Sequence, residues 1–314
     1  MESCMELEEK GSALKLVVII PAYNEQERIH ETITTIIEER KSFEKINIRL
    51  YVYVIDDGSS DQTRSLAEQA GADRVLCHQV NRGLGAAVRT GLIAARADKA
   101  DIVVKFDADL QHNAKDIRPL IQPIIDNVAD IVYGDRFKKI SYKMPFVRRI
   151  GNLVFTSLMR WLTNWPLRDS QPGILAINKN YLDVFHIPGD YNYTQQILLD
   201  AYHKGMRFEH CPVSFRKRVT GKSFVSLKYP AKVLPQIVMV IVGVKPMKIF
   251  APIGLSFFFL GFSVFCTEFL IWVFGDAPKP VTHVNAVLGS ILFGIQTLFF
   301  GILAQLIISM GRKE

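Results

Sequence analysis

Two apolar stretches near the end of the chain limit its folding choices more than any other feature. Residues 249–275 form a 27-residue run whose one ionisable side chain is Glu268, and residues 284–310 form a second 27-residue run with none. A helix needs about 20 apolar residues to cross the hydrocarbon core of a bilayer, so both runs are long enough. The linker between them, GDAPKPVTH, is short, polar and proline-containing. The pair therefore reads as a transmembrane helical hairpin with both ends on one side. Lys245 and Lys248 precede the first run, Arg312 and Lys313 follow the second, and the linker holds Lys279 offset by Asp276. The positive-inside rule then predicts that the ends of the hairpin, and the domain before it, face the cytoplasm. Two buried core helices of a soluble protein are the competing reading, but ordinary core helices are much shorter.

The remaining composition fits that division. Hydrophobic residues make up 49% of the 314, with the excess concentrated from about Ile249 onward. The formal net charge of +7 favours anionic partners without choosing among them. Nothing interleaves aromatic with basic residues as a single-strand binder would, so nucleic acid is not an expected partner. Cys4, Cys77, Cys211 and Cys266 are far apart and form no CxxC pair, which predicts reduced thiols. The opening MESCMELEEKGS is polar and acidic and reads as a leader over residues 1–13 rather than a signal peptide.

Residues 14–224 read as one domain. LKLVVII (14–20), IRLYVYVI (48–55), DIVVKF (101–106) and ADIVYG (129–134) are apolar runs of the kind buried on both faces of a sheet. Helical patterns lie between and after them at Glu25–Arg40, Thr63–Gln69, Leu84–Arg96 and Ala114–Asn127. This alternation predicts an α/β fold with a mainly parallel sheet, whose ligands bind beyond the carboxyl ends of the strands. Further on, Arg148–Trp165 and Asn192–Lys204 read as helices and FEHCPVSFRKR (208–218) as a strand entering a basic segment. Residues 225–248 read as an amphipathic juxtamembrane segment and 311–314 as a cytoplasmic tail.

The polar clusters sit where such a fold places ligands. PAYNE (Pro21–Glu25) follows the first strand, and DDGSSDQT (Asp56–Thr63) follows the second. A carboxylate there can accept hydrogen bonds from a base or from ribose hydroxyls, and Asp56 is the candidate. Ser59, Ser60 and Asp61 read better as turn and helix-cap residues. NRGLGAAVRTG (Asn81–Gly91) either brings backbone to a phosphate or simply opens a helix. The sharpest signal is FDADLQH (Phe106–His112). Asp107 and Asp109, two residues apart at a strand end, can approach one divalent cation if the chain turns there. Mg²⁺ and Mn²⁺ prefer oxygen ligands and share them with substrate phosphates. His112 reads either as a group behind the metal ligands or as a surface histidine. Arg136, Arg148, Arg149, Arg216, Lys217, Arg218 and Lys222 are either a solvated basic face or a seat for a lipid phosphate.

Taken together, VVIIPAYNE, VIDDGSSDQT, NRGLGAA, DADLQH, GDRF, DSQPG (169–173) and PVSFRKRVTGKS (212–223) resemble family 2 glycosyltransferases of the GT-A fold. Within that family the chain resembles the polyprenyl-phosphate (dolichyl-phosphate) mannosyl- and glucosyltransferases. The resemblance implies that Pro21, Tyr23, Glu25 and Asp56 line a nucleotide pocket. It implies that Asp107, Asp109 and Gln111 hold a Mg²⁺ or Mn²⁺ ion and the donor diphosphate. It assigns Arg136, Arg148 and Arg218 to acceptor or donor phosphates, with Asp109 and Arg136 as the catalytic pair. GDP-mannose and UDP-glucose lead as implied donors, ahead of UDP-linked N-acetylhexosamines, and the acceptor would be a polyprenyl phosphate at the cytoplasmic membrane face. Another lipid acceptor, or a non-catalytic membrane scaffold on the same fold, are the alternatives. The sequence departs from the family pattern at Asp135, Pro172 and Gln195-Gln196, and it lacks the QxxRW of processive polymer synthases. Gly254, Gly261, Gly289, Gly294 and Gly301 would permit close helix packing, within the hairpin or in a homo-oligomer.

Overall fold

The protein was analysed as a computed structural model. The structure describes residues 13–136, 146–187, 190, 193–215, 242, 246–275 and 277–310, without the side chains of 146–151 and 154. The chain forms two compact units, 1–223 and 224–314.

The first unit is built on a seven-stranded sheet of order β3-β2-β1-β4-β6-β5-β7. The strands are β1 Leu14–Ala22, β2 Ile48–Asp56, β3 Arg74–Cys77, β4 Ile102–Lys105, β5 Ile131–Asp135, β6 Leu175–Asn178 and β7 Phe208–Pro212. β1, an interior strand, pairs parallel with β2 and β4, in register Ala22↔Asp56 and Ile19↔Lys105. Its side chains from Leu16 to Ile20 are fully buried, as expected of a strand covered on both faces. One face packs Leu16, Val18 and Ile20 under Ile29, Ile33 and Ile36 of α1 (Ile29–Glu38) and Ile117, Leu120 and Ile121 of α5 (Ile117–Ile125). The helices α2 (Arg40–Glu44) and α3 (Thr63–Gln69) complete that layer. The other face takes α4 (Leu84–Ala97), whose buried side is largely alanine and glycine, which lets it lie close to the sheet.

β6 is antiparallel to both of its neighbours, β4 and β5, and the other pairings are parallel. Its amino end therefore lies at the carboxyl end of β4, with Leu175 opposite Lys105. That reversal delivers the segment before β6, which contains DSQPG, to the edge where ligands bind. α6 (Phe146–Thr163) leads into this segment; α7 (Lys179–Val184) and α8 (Tyr193–His203) follow β6.

The strand and helix positions expected from the sequence recur, with shifts that have local causes. β3, β6, α2 and α7 had no sequence counterpart, being four to six residues long. The first helix begins at Ile29 rather than Glu25, because Asn24 takes a left-handed φ of 52° and the PAYNE turn is tied to the next loop. The strand expected to run into a basic segment spans Phe208–Pro212, with Val213 N–H still donating to Asp135 O at 3.1 Å, and the basic residues from Arg216 lie outside the described residues. The juxtamembrane reading of 225–248 falls almost wholly outside the described residues. The three described cysteines, Cys77, Cys211 and Cys266, are free thiols.

In the second unit, helices Met247–Phe274 and Val284–Met310 are 28 and 27 residues long, each apolar and long enough to cross a membrane. Their outward side chains are exposed along the whole length, including Phe259, Ile271 and Ile307. That burial is opposite to what a pair of core helices would show. Gly254 and Gly294 lie where a Cβ on either would come within 3 Å of the other's carbonyl oxygen, so glycine sets this close approach. Glu268 accepts hydrogen bonds from Thr282 and His283 N–H at 2.7 and 3.1 Å and pairs with the His283 ring. The single acid of the first run thus caps the start of the second helix.

Candidate active site

The carboxyl edge of the sheet has two corners. At the first, β1 and β2 end side by side and their loops bind each other. Asn24 N–H donates to Ser59 Oγ (2.9 Å) and Ser60 N–H donates to Asn24 Oδ1 (2.9 Å). Glu25 N–H donates to Thr63 Oγ1 (2.8 Å). Asp61 accepts from Thr63 N–H at 2.9 Å and from the Thr63 hydroxyl, which ties the turn just before α3, whose N-cap position is Gln62. Burial alone would raise the Asp61 pKa, but these bonds and Gln26 N–H outweigh it and hold it below the usual aspartate range. Asp56 is buried and accepts from Ser59 N–H (3.0 Å). Asp57 is a brace: its carboxylate takes the N–H of Arg82 and Gly83 and the ring of His78, whose other nitrogen meets Thr90 Oγ1 at 2.9 Å. Of the expected nucleotide-pocket residues, Pro21 is buried in β1, Tyr23 is exposed, and Glu25 is paired with Arg28 at 3.2 Å.

NRGLG belongs to this corner. Gly85 N–H donates to Asp190 O (3.0 Å), and a Cβ on Gly85 would overlap that oxygen. Arg89, one turn on, pairs with the Asp190 carboxylate and donates to Ile187 O (3.0 Å). The start of α4 is thus occupied by the protein's own chain at Gly85, which favours the helix-opening reading of the motif over the phosphate one.

The second corner is where β4, β5, β6 and β7 bring their ends together. β4 ends at Lys105, and the chain turns through Leu110, a non-glycine residue at φ 58°, a conformation that costs of order 1 kcal/mol. The turn lets Asp107 and Asp109 leave the strand end together. Gln111 N–H donates to Asp109 Oδ1 (3.1 Å), and Thr32 on α1 holds the turn by donating to Ala108 O (3.0 Å). Asp107 pairs with Lys105, which is only 1% exposed. Burial alone would pull the Lys105 ammonium down, but Asp107 more than compensates and its pKa lies above the usual lysine value. His112 Nε2 is 3.9 Å from Asp107 Oδ2. Burial, opposed by Asp107 and reinforced by Lys105 and Arg136, lowers His112 to about 4, so the ring is neutral near pH 7. The surface-histidine reading is therefore corrected: His112 is buried behind the carboxylates.

Gly173 closes this corner. Its carbonyl accepts from Lys105 Nζ (2.8 Å), and a Cβ there would overlap His112 Nε2 and lie 2.5 Å from Asp107 Oδ2. Four residues earlier in the same loop, fully buried Asp169 holds Arg136, with Nε 2.7 Å from Oδ2 and a second contact of 3.4 Å. Phe215 bridges the two halves: its ring is 5.4 Å from the Arg136 guanidinium and 5.2 Å from the His112 ring. Arg136 is thus a positioned donor whose charge is already matched by Asp169. Arg148 lies in α6 with its side chain outside the described residues, as is all of Arg218.

The structure thus places Asp107, Asp109 and Gln111 in one turn, Arg136 against Asp169 and Phe215 at the same corner, and Pro21, Tyr23 and Asp56 on the neighbouring strand ends. Sequence reasoning missed Lys105, Asp57, Asp169 and Gly173. Lys105 had a signal: a lysine inside a β-branched run needs an acid within reach, and Asp107 is two residues away. Among the described residues no three His, Cys, Asp or Glu side chains gather as a complete metal cage. Two carboxylates and an amide oxygen suit instead a hard cation that takes its other ligands from a bound diphosphate.

This fold and this acidic turn define a class of protein. The sequence profile of Glycosyl transferase family 2 matches residues 17–185, and the chain belongs to that family; it is a glycosyltransferase. It is 33% identical to the UDP-N-acetylglucosamine–dolichyl-phosphate N-acetylglucosaminyltransferase of Methanococcus voltae, over 54% of this chain and 71% of that one. It is 27% identical to glycosyltransferase AglJ of Haloferax volcanii over 95% of both chains, hairpin included. Among solved structures it is similar to glucosyl-3-phosphoglycerate synthase from Mycobacterium tuberculosis in complex with Mn²⁺, UDP and phosphoglyceric acid. There the TM-score is 0.57 with 20% identity, over 73% of this chain and 78% of that one, which shows the shared GT-A fold.

Proposed function

We propose that this glycosyltransferase moves a hexose or N-acetylhexosamine from a nucleoside-diphosphate sugar to a polyprenyl phosphate, with inversion at the anomeric carbon. The observation that carries the reading is the Asp107–Asp109 turn at the end of β4, in a chain that also has two helices fit to cross a membrane. A dolichyl-phosphate hexose transferase of Haloferax volcanii, 27% identical over 65% of this chain, supports the acceptor class.

The chemistry follows from the acceptor. A phosphate monoester is anionic near neutral pH, so its oxygen needs no strong general base. That oxygen forms a bond to the anomeric carbon as the bond from that carbon to the donor diphosphate breaks, and the nucleoside diphosphate leaves with the electron pair. Asp107, Asp109 and Gln111 would hold Mg²⁺ or Mn²⁺, which offsets charge on the departing diphosphate. Asp56, Pro21 and Tyr23 would border the base and ribose. Arg136, with Arg148 and Arg218, would orient phosphate oxygens, Arg136 with its plane fixed by Asp169. The work of the site is positioning and electrostatic stabilisation. The basic residues Lys245, Lys248, Arg312 and Lys313 at the ends of the hairpin support a cytoplasmic-side reaction by the positive-inside rule.

The test is a donor screen on the full chain in lipid vesicles containing polyprenyl phosphate, with glycolipid as readout. One of the GDP- or UDP-linked sugars should give a product that disappears when EDTA removes divalent metal. Product with diacylglycerol or a glycolipid instead of polyprenyl phosphate would redirect the acceptor. No turnover of any sugar nucleotide would overturn the reading.

A further inference from the structure

Lys105 stands where a sheet normally carries a valine. It is the last residue of β4, follows the buried Val103 and Val104, and is itself fully buried. A buried ammonium is costly unless paired, and an aliphatic side chain would fill the same space at no such cost. Its three neighbours all belong to the second corner: Asp107 Oδ1 in an ion pair, Gly173 O at 2.8 Å, and the Tyr193 ring 5.6 Å from Nζ.

This arrangement makes the two oxygens of Asp107 unequal. Oδ1 is committed to Lys105, while Oδ2 points toward His112 Nε2 and the Cα of Gly173. Asp107 is therefore left as a one-oxygen ligand for a cation. The ammonium also cancels one of the two carboxylate charges, so Lys105, Asp107 and Asp109 together carry a single net negative charge. Sites that retain a divalent ion by themselves surround it with more anionic oxygen than that, and no third acid joins these two among the described residues.

We infer that Lys105 is a positioning residue that fixes Asp107 as a single-oxygen ligand and weakens the acidic pair toward a bare cation. The divalent ion is then captured together with the donor diphosphate and leaves with the nucleoside diphosphate. This rests on the metal role of Asp107 and Asp109 proposed above. The diphosphate supplies the anionic oxygens that the protein withholds, so an empty site does not trap metal and a product complex does not outlast the reaction.

The experiment measures Mn²⁺ binding to the full chain in nanodiscs by electron paramagnetic resonance, with and without UDP or GDP. Wild type should bind Mn²⁺ at least ten-fold more tightly with the cognate diphosphate than without it. Lys105→Met should bind bare Mn²⁺ several-fold more tightly than wild type, lose most of the diphosphate enhancement, and turn over more slowly. Lys105→Arg, which keeps the charge, should retain the enhancement. A merely structural lysine would instead give a methionine variant with weaker metal binding in both conditions. Tight Mn²⁺ binding by wild type without a diphosphate overturns the inference even if Lys105→Met does not fold. So does unaltered coupling in a folded Lys105→Met. If wild type binds no Mn²⁺ even with the diphosphate that matches its donor, the metal role itself fails, a result distinct from the other two.

Discussion

The two corners of the sheet edge are built from the same materials and held in opposite ways. At the β1–β2 corner, most acids accept hydrogen bonds from backbone. Asp56 takes Ser59 N–H, Asp57 takes two loop amides and Asp61 takes Thr63 N–H. At the β4–β6 corner, acids meet cations, with one member of each pair buried: Asp107 with buried Lys105, and buried Asp169 with Arg136. Backbone hydrogen bonds hold a carboxylate in place without a counter-charge. Ion pairs fix charged groups in direction and cancel part of their charge, an arrangement suited to a reaction that redistributes phosphate charge. On the proposed function the first would bind the nucleotide and the second would host the reaction, and the difference predicts how each responds to mutation.

The largest effects should fall on the acidic turn, where they should also divide. Asp109→Ala should reduce transfer by more than about a hundredfold while the protein stays folded, since Asp109 is partly exposed and braces its own turn at Gln111 N–H. Asp107→Ala should lose transfer and also about 3–5 kcal/mol of stability, because it leaves Lys105 buried without its partner. Glycolipid assays beside thermal unfolding check both. Equal stability of the two variants would break the distinction drawn between them.

A matched pair of glycine substitutions sharpens it further. Gly173→Ala drives a Cβ into His112 and Asp107, so turnover should fall at least tenfold. Gly85→Ala drives one into Asp190 O at the other corner. Overpacking typically costs about 1–3 kcal/mol, so its main effect should be on stability and on donor KM rather than on kcat. Steady-state kinetics on both variants decide this, and a kcat loss confined to Gly85→Ala would reverse the assignment of corners.

The smallest effect belongs to Asp61, which ties the turn before α3. Asp61→Ala should cost roughly 1 kcal/mol at neutral pH, the scale of a net hydrogen bond. The hydrogen bonds at Asp61 depress its pKa, so its contribution is present above the ordinary aspartate value and is lost as pH falls through the depressed one. Unfolding midpoints of wild type and Asp61→Ala should therefore converge in acid. A gap that widens as pH falls would contradict this role.

What was legible in the sequence was whatever is encoded in neighbouring residues. The β-branched runs marked β1, β2, β4 and β5, because a strand buried on both faces must be apolar throughout. The DADLQ turn announced itself because both acids follow one strand end. The two uncharged runs marked the hairpin, and the glycines within it were read as packing surfaces. The structure uses Gly254, Gly261, Gly294 and Gly301 inside the hairpin itself, while a Cβ on Gly289 would meet nothing within 4 Å. Tertiary structure alone decided the rest. That DSQPG meets DADLQ depends on β6 running antiparallel between β4 and β5, a choice of topology that leaves no local periodicity. The same reversal turned Lys105 from an oddity in an apolar run into the partner of Asp107 and of a carbonyl 68 residues away. Local sequence fixes the backbone preferences and burial of each segment. Which charges come to face one another is fixed only once long-range strand order has closed the chain, because ion pairs form across space between segments whose spacing in sequence carries no signal.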